Sequence, residues 1–180
     1  NLNAMTTDPM FFDKFYGDLL ENNGGISSKI KFIKLYINGK YNGLRQLVQN
    51  LDDNLIKNEG FELGSIYRER AHANFGEDLP LWKIKTLWQR NSKNYAPKWH
   101  DFRELQRKIK KSVLYETQEF KSVFDSDMYL KYLSILAISG TQNMGTHNIP
   151  IYRPASSKKF KPIGYDFSVQ KDPVPLEAMK

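Results

Sequence analysis

The residues best suited to chemistry lie late in the chain, between Gly140 and Ser168. Asn143 and Asn148 stand five apart, His147 lies between them, and Asp166-Phe167-Ser168 closes the segment. An Asn carbonyl and an Asp carboxylate are hard oxygen ligands, suited to a magnesium ion that also touches substrate phosphates. The same residues have plainer uses. Asn148 can hydrogen-bond within its loop, and Asp166 can cap a strand end. His147 can touch phosphate, orient the loop or simply bond to backbone.

Three elements must position this set. Asp125 or Ser126 caps a helix predicted to run through Ile138, with Tyr129, Leu130, Leu133, Leu136 and Ala137 apolar. Gly140 ends it, and a loop from Thr141 to Asn148 follows. Ile149–Tyr152 and Phe160–Tyr165 then pair as a hairpin across Pro154-Ala155-Ser156-Ser157. The tail after Lys171, with Pro173 and Pro175, reads as extended.

Upstream, Asp8-Pro9 reads as N-cap and first residue of a helix, with Phe11, Phe15 and Leu19 on one apolar face and Asn22-Asn23-Gly24-Gly25 as its stop. Ile30–Ile37 and Tyr41–Val48 flank Asn38-Gly39, the strongest short hairpin signal, because both central residues of a type I′ turn need positive φ. Asp52 to Asn58 reads as a short helix ended by Gly60, with Asp52-Asp53 as its cap rather than a metal pair. Ile66-Tyr67-Arg68 reads as a third strand. From Glu77 to Lys121 the pattern is helical and basic. Leu81, Trp82, Ile84, Leu87 and Trp88 form one cluster there, and Phe102, Leu105, Ile109 and Val113 one face of another helix. Trp82, Trp88 and Trp99 read as packing residues before base-stacking ones. The class is α+β, with small antiparallel hairpins and a helical part. Residues 1–180 read as one domain: a sheet-rich part (1–70), a helical part (77–140), and a late loop and hairpin (141–170).

Composition narrows the function classes. The 180 residues contain no Cys, which excludes disulfide scaffolds, thiolate metal sites and cysteine nucleophiles. The three histidines, His72, His100 and His147, form no HxxxH pair for zinc. Mean hydropathy is −0.60, and the longest near-apolar run, Tyr132–Gly140, is too short and polar for a transmembrane span. The net charge is +7, all of it within residues 61–180. Such a surface attracts nucleic acid, phosphorylated ligands or anionic membranes alike. The run Arg103–Lys111 reads as a solvated helix face, and no nucleic-acid reading motif accompanies it. The chain opens at Asn1 without a signal-peptide pattern, which reads as a processed or incomplete N-terminus.

Protein kinases arrange oxygen ligands in a comparable order. An Asp five residues before an Asn accepts the substrate proton, and a hairpin leads from that Asn to Asp-Phe-Gly. Phe32-Ile33-Lys34-Leu35-Tyr36-Ile37-Asn38-Gly39-Lys40-Tyr41-Asn42-Gly43-Leu44 resembles the "lyiNGeYxGly" signature of the spore coat protein H (CotH) kinase family. Leu2-Asn3-Ala4 with Asp8-Pro9-Met10 resembles its "LNA…D" segment. Asp127–Leu136, Gly140, His147-Asn148, Ile151-Tyr152-Arg153 and Ile163-Gly164-Tyr165-Asp166-Phe167 resemble its "Nyyly…ipWDfD" region.

The resemblance implies an atypical protein-kinase-like fold and magnesium-ATP-dependent transfer to Ser or Thr of Ser-rich proteins. The family's segment before the LNA stretch, which helps build the nucleotide site, is expected to be lacking from this chain, and the resemblance implies a cell-surface, coat-associated or secreted location. Residue by residue, it places the metal on Asn148 and Asp166. Asn143 stands at the catalytic Asp position, Gln49 at a Glu and Arg68 at the phosphate-side Lys. Ser168 stands at the second acid of the closing motif. Asn cannot act as base toward a hydroxyl, a loss that typically costs about 10²–10⁴ in rate. Arg68 binds phosphate as a planar fork rather than a point charge. The expected function is therefore a CotH-like kinase domain, active or catalytically weak. The alternatives are a non-catalytic interaction or coat module and, last, a nucleic-acid binder.

Overall fold

The computed structural model describes residues 2–3, 11–70, 80–93, 99–111, 118–140 and 150–167. The expected loop residues Asn143, His147 and Asn148, together with Asp8, Pro9, Val113, Ser168 and the tail, lie outside these.

The sharpest local signals fold as expected. β3 (Ile30–Ile37) and β4 (Lys40–Val48) form an antiparallel hairpin whose turn residues Asn38 and Gly39 have φ of 49° and 77°. β1 (Leu2–Asn3) pairs with β4 on its other side, giving a three-stranded sheet ordered β1-β4-β3. Asp52 caps α2 (Asp53–Asn58) by accepting from the Asn54 N–H at 3.0 Å, and Gly60 follows at φ 74°. α6 (Ser126–Ser139) is capped by Asp125, which accepts from the Met128 N–H at 3.2 Å, and ends at Gly140 in the left-handed region.

A second, mixed sheet gathers strands from across the chain in the order β2-β8-β7-β5-β6. Its members are β2 (Ile26–Ser27), β5 (Gly64–Glu69), β6 (Trp88–Arg90), β7 (Ile151–Pro154) and β8 (Lys161–Gly164). β7 and β8 pair antiparallel as expected, whereas β2 lies parallel to β8, with Ile26 opposite Ile163. β6 corrects the helical reading of its segment. α3 (Leu81–Leu87) stops at Trp88, and Trp88–Arg90 pairs antiparallel with β5. Trp88 is buried there against Phe102 of α4 (His100–Lys111), their ring centroids 4.6 Å apart. Tertiary burial of a large ring on a strand edge overrides the helical spacing.

Two apolar clusters pack the second sheet. One joins Tyr16, Leu20, Tyr67, Trp88, Phe102 and Phe167, among others, with Phe120 of α5 (Gln118–Val123). The other joins Ile26, Leu55, Ile66, Tyr152 and Ile163, with Tyr165 partly buried against it. The first helix, α1 (Phe12–Asn22), turns a different face inward from the one its spacing suggested. Phe11 and Phe15 are 56% and 53% exposed, while Tyr16 and Leu20 are 8% and 1% exposed. Phe11/Phe15/Leu19 and Phe12/Tyr16/Leu20 are adjacent stripes with the same four-residue period, so spacing alone could not choose between them. The α6 stripe also shifts: Leu130 and Ala137 face outward, and Met128, Tyr132, Ile135 and Leu136 are buried. Among the described residues no helix is long and apolar enough to cross a membrane.

Asp125 does two jobs, capping α6 and bonding Lys161 of β8. Partial burial opposes its ionisation, but the Lys161 ammonium and the Met128 N–H outweigh burial and hold the carboxyl below its ordinary 3.8. Because the folded value is depressed, the contribution is complete above the unfolded pKa and fades as pH falls through the folded one. Asp125→Ala should therefore cost about 1–2 kcal/mol at pH 7. In urea denaturation at a series of pH values, the gap to wild type should narrow below pH 3.8.

Candidate functional site

The candidate site forms where β8 ends against β2 and α1. Ser27 and Ser28 both bond the Gly164 carbonyl, through Oγ at 3.2 Å and the backbone N–H at 3.0 Å respectively. The approach is close. A Cβ on Gly164 would stand 2.7 Å from both Leu20 Cδ2 and Phe167 Cζ and 3.0 Å from Ser27 Oγ. Beyond Gly164 the chain turns through Asp166 at φ 56°, a left-handed conformation that Asp tolerates better than most side chains. The flanking residues are fastened on different sides. Tyr165 joins the cluster around Ile26 and Tyr152, and Phe167, 2% exposed, joins the one around Tyr16 and Leu20.

This turn borders a cavity of about 110 Å³ lined by Asp13, Ser27, Ser28, Gly164, Tyr165, Asp166 and Phe167, with Ile30 and Val48 as apolar wall. Its chemistry is dominated by two carboxylates brought together from opposite ends of the sequence. Asp13 lies on the first turn of α1. Burial, and then the charge of Asp166, push its carboxyl up to about 6, against a smaller opposing effect of the Phe167 backbone N–H that it accepts. Asp13 Oδ1 is buried and has no hydrogen-bond partner among the described residues. A buried oxygen without a donor suits a hard cation, while among the described residues no group of three or more acidic or histidine side chains is placed to hold a metal ion.

The expected site residues are placed as follows. Asp166 lines the cavity. Arg68 of β5 does not line it, but its guanidinium lies over the Tyr165 ring, 4.5 Å from the centroid. Arg68 and Asp166 thus share Tyr165 as neighbour, one through its ring and the other through the backbone. Gln49 stands apart. Its carbonyl accepts from Ser28 Oγ at 2.6 Å and its N–H donates to the Lys29 carbonyl at 2.8 Å. It lines a separate hollow with Lys29, Lys31, Leu47, Val48, Asn50 and Asn58. Val48 borders both hollows, so Gln49 is one residue from the acidic cavity without facing it. Asn143, His147 and Asn148 lie outside the described residues. Asp13 was missed by sequence reasoning. It belongs to no motif, and only its place one turn before Tyr16 and Gly17, on the buried face of α1, could have drawn attention to it.

The described residues define a mixed α+β protein of small sheets and helices, with an oxygen-lined cavity at the end of its last strand. The family model described as CotH kinase protein matches residues 1–171, and the chain belongs to that family. It is similar to the inner spore coat protein H of Bacillus subtilis (strain 168), with 27% identity over 175 residues. That match covers 93% of this chain and 48% of the relative, so the chain spans about half the length of the curated relative it matches.

Gly164→Ala tests how tightly this junction is packed. Its Cβ would press on Leu20 and Phe167, and overpacking of this kind should cost roughly 1–3 kcal/mol in urea denaturation. A wild-type midpoint would mean that the contact is slack.

Proposed function

We propose that this chain is the kinase-like domain of a spore-coat protein. It binds a nucleoside triphosphate with magnesium and, at reduced efficiency, passes a phosphoryl group to a Ser or Thr hydroxyl of a Ser-rich protein. The observation that carries this reading is the position of Asp166. The residue matching the family's metal-binding Asp borders a cavity that holds a second carboxylate and an unpartnered carboxylate oxygen.

The donor set fits magnesium. Asp166 would hold the ion together with Asn148 of the preceding loop. Bound there, magnesium would supply positive charge against the phosphate oxygens. Arg68 of β5, two strands from β8 in the sheet, supplies charge. Its guanidinium is oriented by the Tyr165 ring and keeps several N–H groups for phosphate oxygens. Asn143 orients the acceptor hydroxyl but cannot take its proton, so positioning and electrostatics carry the reaction without a strong base. Location at the spore coat is supported by the name of the B. subtilis relative.

A second reading has its own support. Asn143, Gln49 and Ser168 replace three acids of the family pattern. A non-catalytic module that keeps the fold and binds nucleotide or partner without transfer is consistent with that loss.

Calorimetric titration of ATP with and without magnesium separates the outcomes. Wild type should bind ATP more tightly with magnesium. Asp166→Ala should lose most of that gain, about tenfold or more in Kd. Absence of binding by folded wild type would remove the nucleotide reading altogether. Label transfer from γ-labelled ATP to a Ser-rich acceptor, or to the chain itself, decides between the catalytic and non-catalytic readings. On the catalytic reading, Asn143→Asp should raise the transfer rate, by up to about 10²-fold.

A further inference from the structure

We propose that the outer edge of β3 is the docking site for a phosphorylated stretch of the Ser-rich acceptor, which adds to the sheet as an extra strand. The enzyme then holds its own product while the next serine reaches the cavity. This deepens the proposed phosphoryl transfer and rests on it.

The edge is open. In the order β1-β4-β3 the far side of β3 has no strand partner among the described residues. An open edge presents a row of backbone N–H and C=O groups to any extended chain. None of the eight residues of β3 is buried, and in β4 only Gln46 is. Lys34 pairs with Leu44 and Tyr36 with Tyr41, so the irregularity there puts its extra residue in β4 and leaves β3 evenly spaced.

Charge picks the partner. Residues 30–48 contain Lys31, Lys34, Lys40 and Arg45 and no Asp or Glu. Lys31, Lys34 and Lys40 are exposed and form no ion pair among the described residues. Successive side chains of a strand alternate between its faces, so Lys31 and Lys34 flank the edge from opposite sides. A second copy of the ribbon would set cations against cations. A phosphoserine carries a charge of about −1.5 to −2 and suits both lysines. Lysines on an edge strand have a plainer use, which is to keep neutral strands off it. That use does not call for exposed rings. Tyr36 and Tyr41 are each 58% exposed, their ring centroids 5.5 Å apart, and Phe32 is exposed as well. The two uses agree, since an edge that turns away neutral strands and attracts phosphorylated ones selects acceptors already carrying product.

Position links the edge to the site. Ile30, the first residue of β3, walls the acidic cavity together with Val48, its partner on β4. By alternation Phe32, Lys34 and Tyr36 share the face of Ile30. A strand rises about 3.3 Å per residue, which puts Lys34 about 13 Å along the ribbon from Ile30. An acceptor strand beside β3 advances at the same rate. A phosphoserine four residues from the serine at the cavity therefore meets Lys34.

The test is made without nucleotide or magnesium. Fluorescence anisotropy follows labelled Ser-rich peptides with zero, one or three phosphoserines, the single one placed four residues from an unmodified serine. Oligo-dT and phosphatidylglycerol vesicles serve as other polyanions. Wild type should bind the triply phosphorylated peptide about tenfold or more tightly than the unphosphorylated one. The same peptide should slow amide exchange along residues 31–36, read by NMR. Lys31→Glu with Lys34→Glu should abolish the preference. If that pair disturbs the circular dichroism, Lys31→Gln with Lys34→Gln takes its place.

Equal binding of the three peptides overturns the proposal. So does a preference that survives in the double variant, or unchanged exchange along β3. Tighter binding of oligo-dT or of vesicles at equal phosphate concentration overturns it too, and assigns the ribbon to nucleic acid or to membrane. These outcomes are separable from the transfer reading. A peptide preference without label transfer keeps the docking edge and removes catalysis, and label transfer without a preference does the reverse.

Discussion

The anchoring of Tyr165 and Phe167 in two separate apolar clusters is the constraint on which the site geometry depends. Phe167 is buried in the cluster around Tyr16 and Leu20, and Tyr165 packs partly buried against the one around Ile26 and Tyr152, so the residue between them is held from both neighbours. Asp166 is therefore presented at a left-handed turn rather than buried or released to solvent. The clusters are ordinary hydrophobic packing, worth roughly 1.5–3 kcal/mol for each fully buried large side chain. Here that packing also sets the direction of a carboxylate. The close contacts of Gly164 and Gly17 belong to the same arrangement, since each lets backbone and ring approach where a side chain would intrude.

The electrostatics of the cavity follow from its construction. Two acids face a small volume walled by serines and aliphatic side chains, and Asp13 is buried enough for its ionisation to be disfavoured. The resemblance leads one to expect acids where this sequence has Gln49 in its first third and Asn143 and Ser168 late. Asp13 brings one back from the other end of the sequence. Under the proposed function, the acid inventory of the site is redistributed more than it is depleted. The Arg68 guanidinium lies over the Tyr165 ring, beside the same turn.

Much of the fold was legible because local chemistry dictated it. Asn38-Gly39 fixed a type I′ hairpin, Asp52 and Asp125 supplied side-chain caps, and Gly140 took the left-handed conformation that ends a helix. What escaped was decided by tertiary contact. The β2–β8 pairing involves two residues on each strand, too few for a pattern, and Trp88 left a helical spacing to bury its ring beside Phe102. The inward face of α1 could not be chosen because two neighbouring stripes of aromatic and aliphatic residues fit equally well. Of the residues the sequence pointed to, Asp166 lines the cavity and Arg68 lies over the adjoining Tyr165 ring. Gln49 faces a different hollow. Asp13 was invisible, because its partner lies at the far end of the sequence.

The junction of β2 with β8 joins residues 137 apart in sequence, and this bears on the order of assembly. The β3–β4 hairpin closes over a two-residue turn and can form on a microsecond timescale. The acidic cavity cannot exist until the last strand has been delivered to the first third of the chain, and contacts of such long range are slow to form. During synthesis the hairpin emerges early, while Asp13 waits without its counterpart until nearly all of the described chain has left the ribosome. The cavity is thus a late product of folding, and a nascent chain stopped before β8 would carry the hairpin but no carboxylate pair.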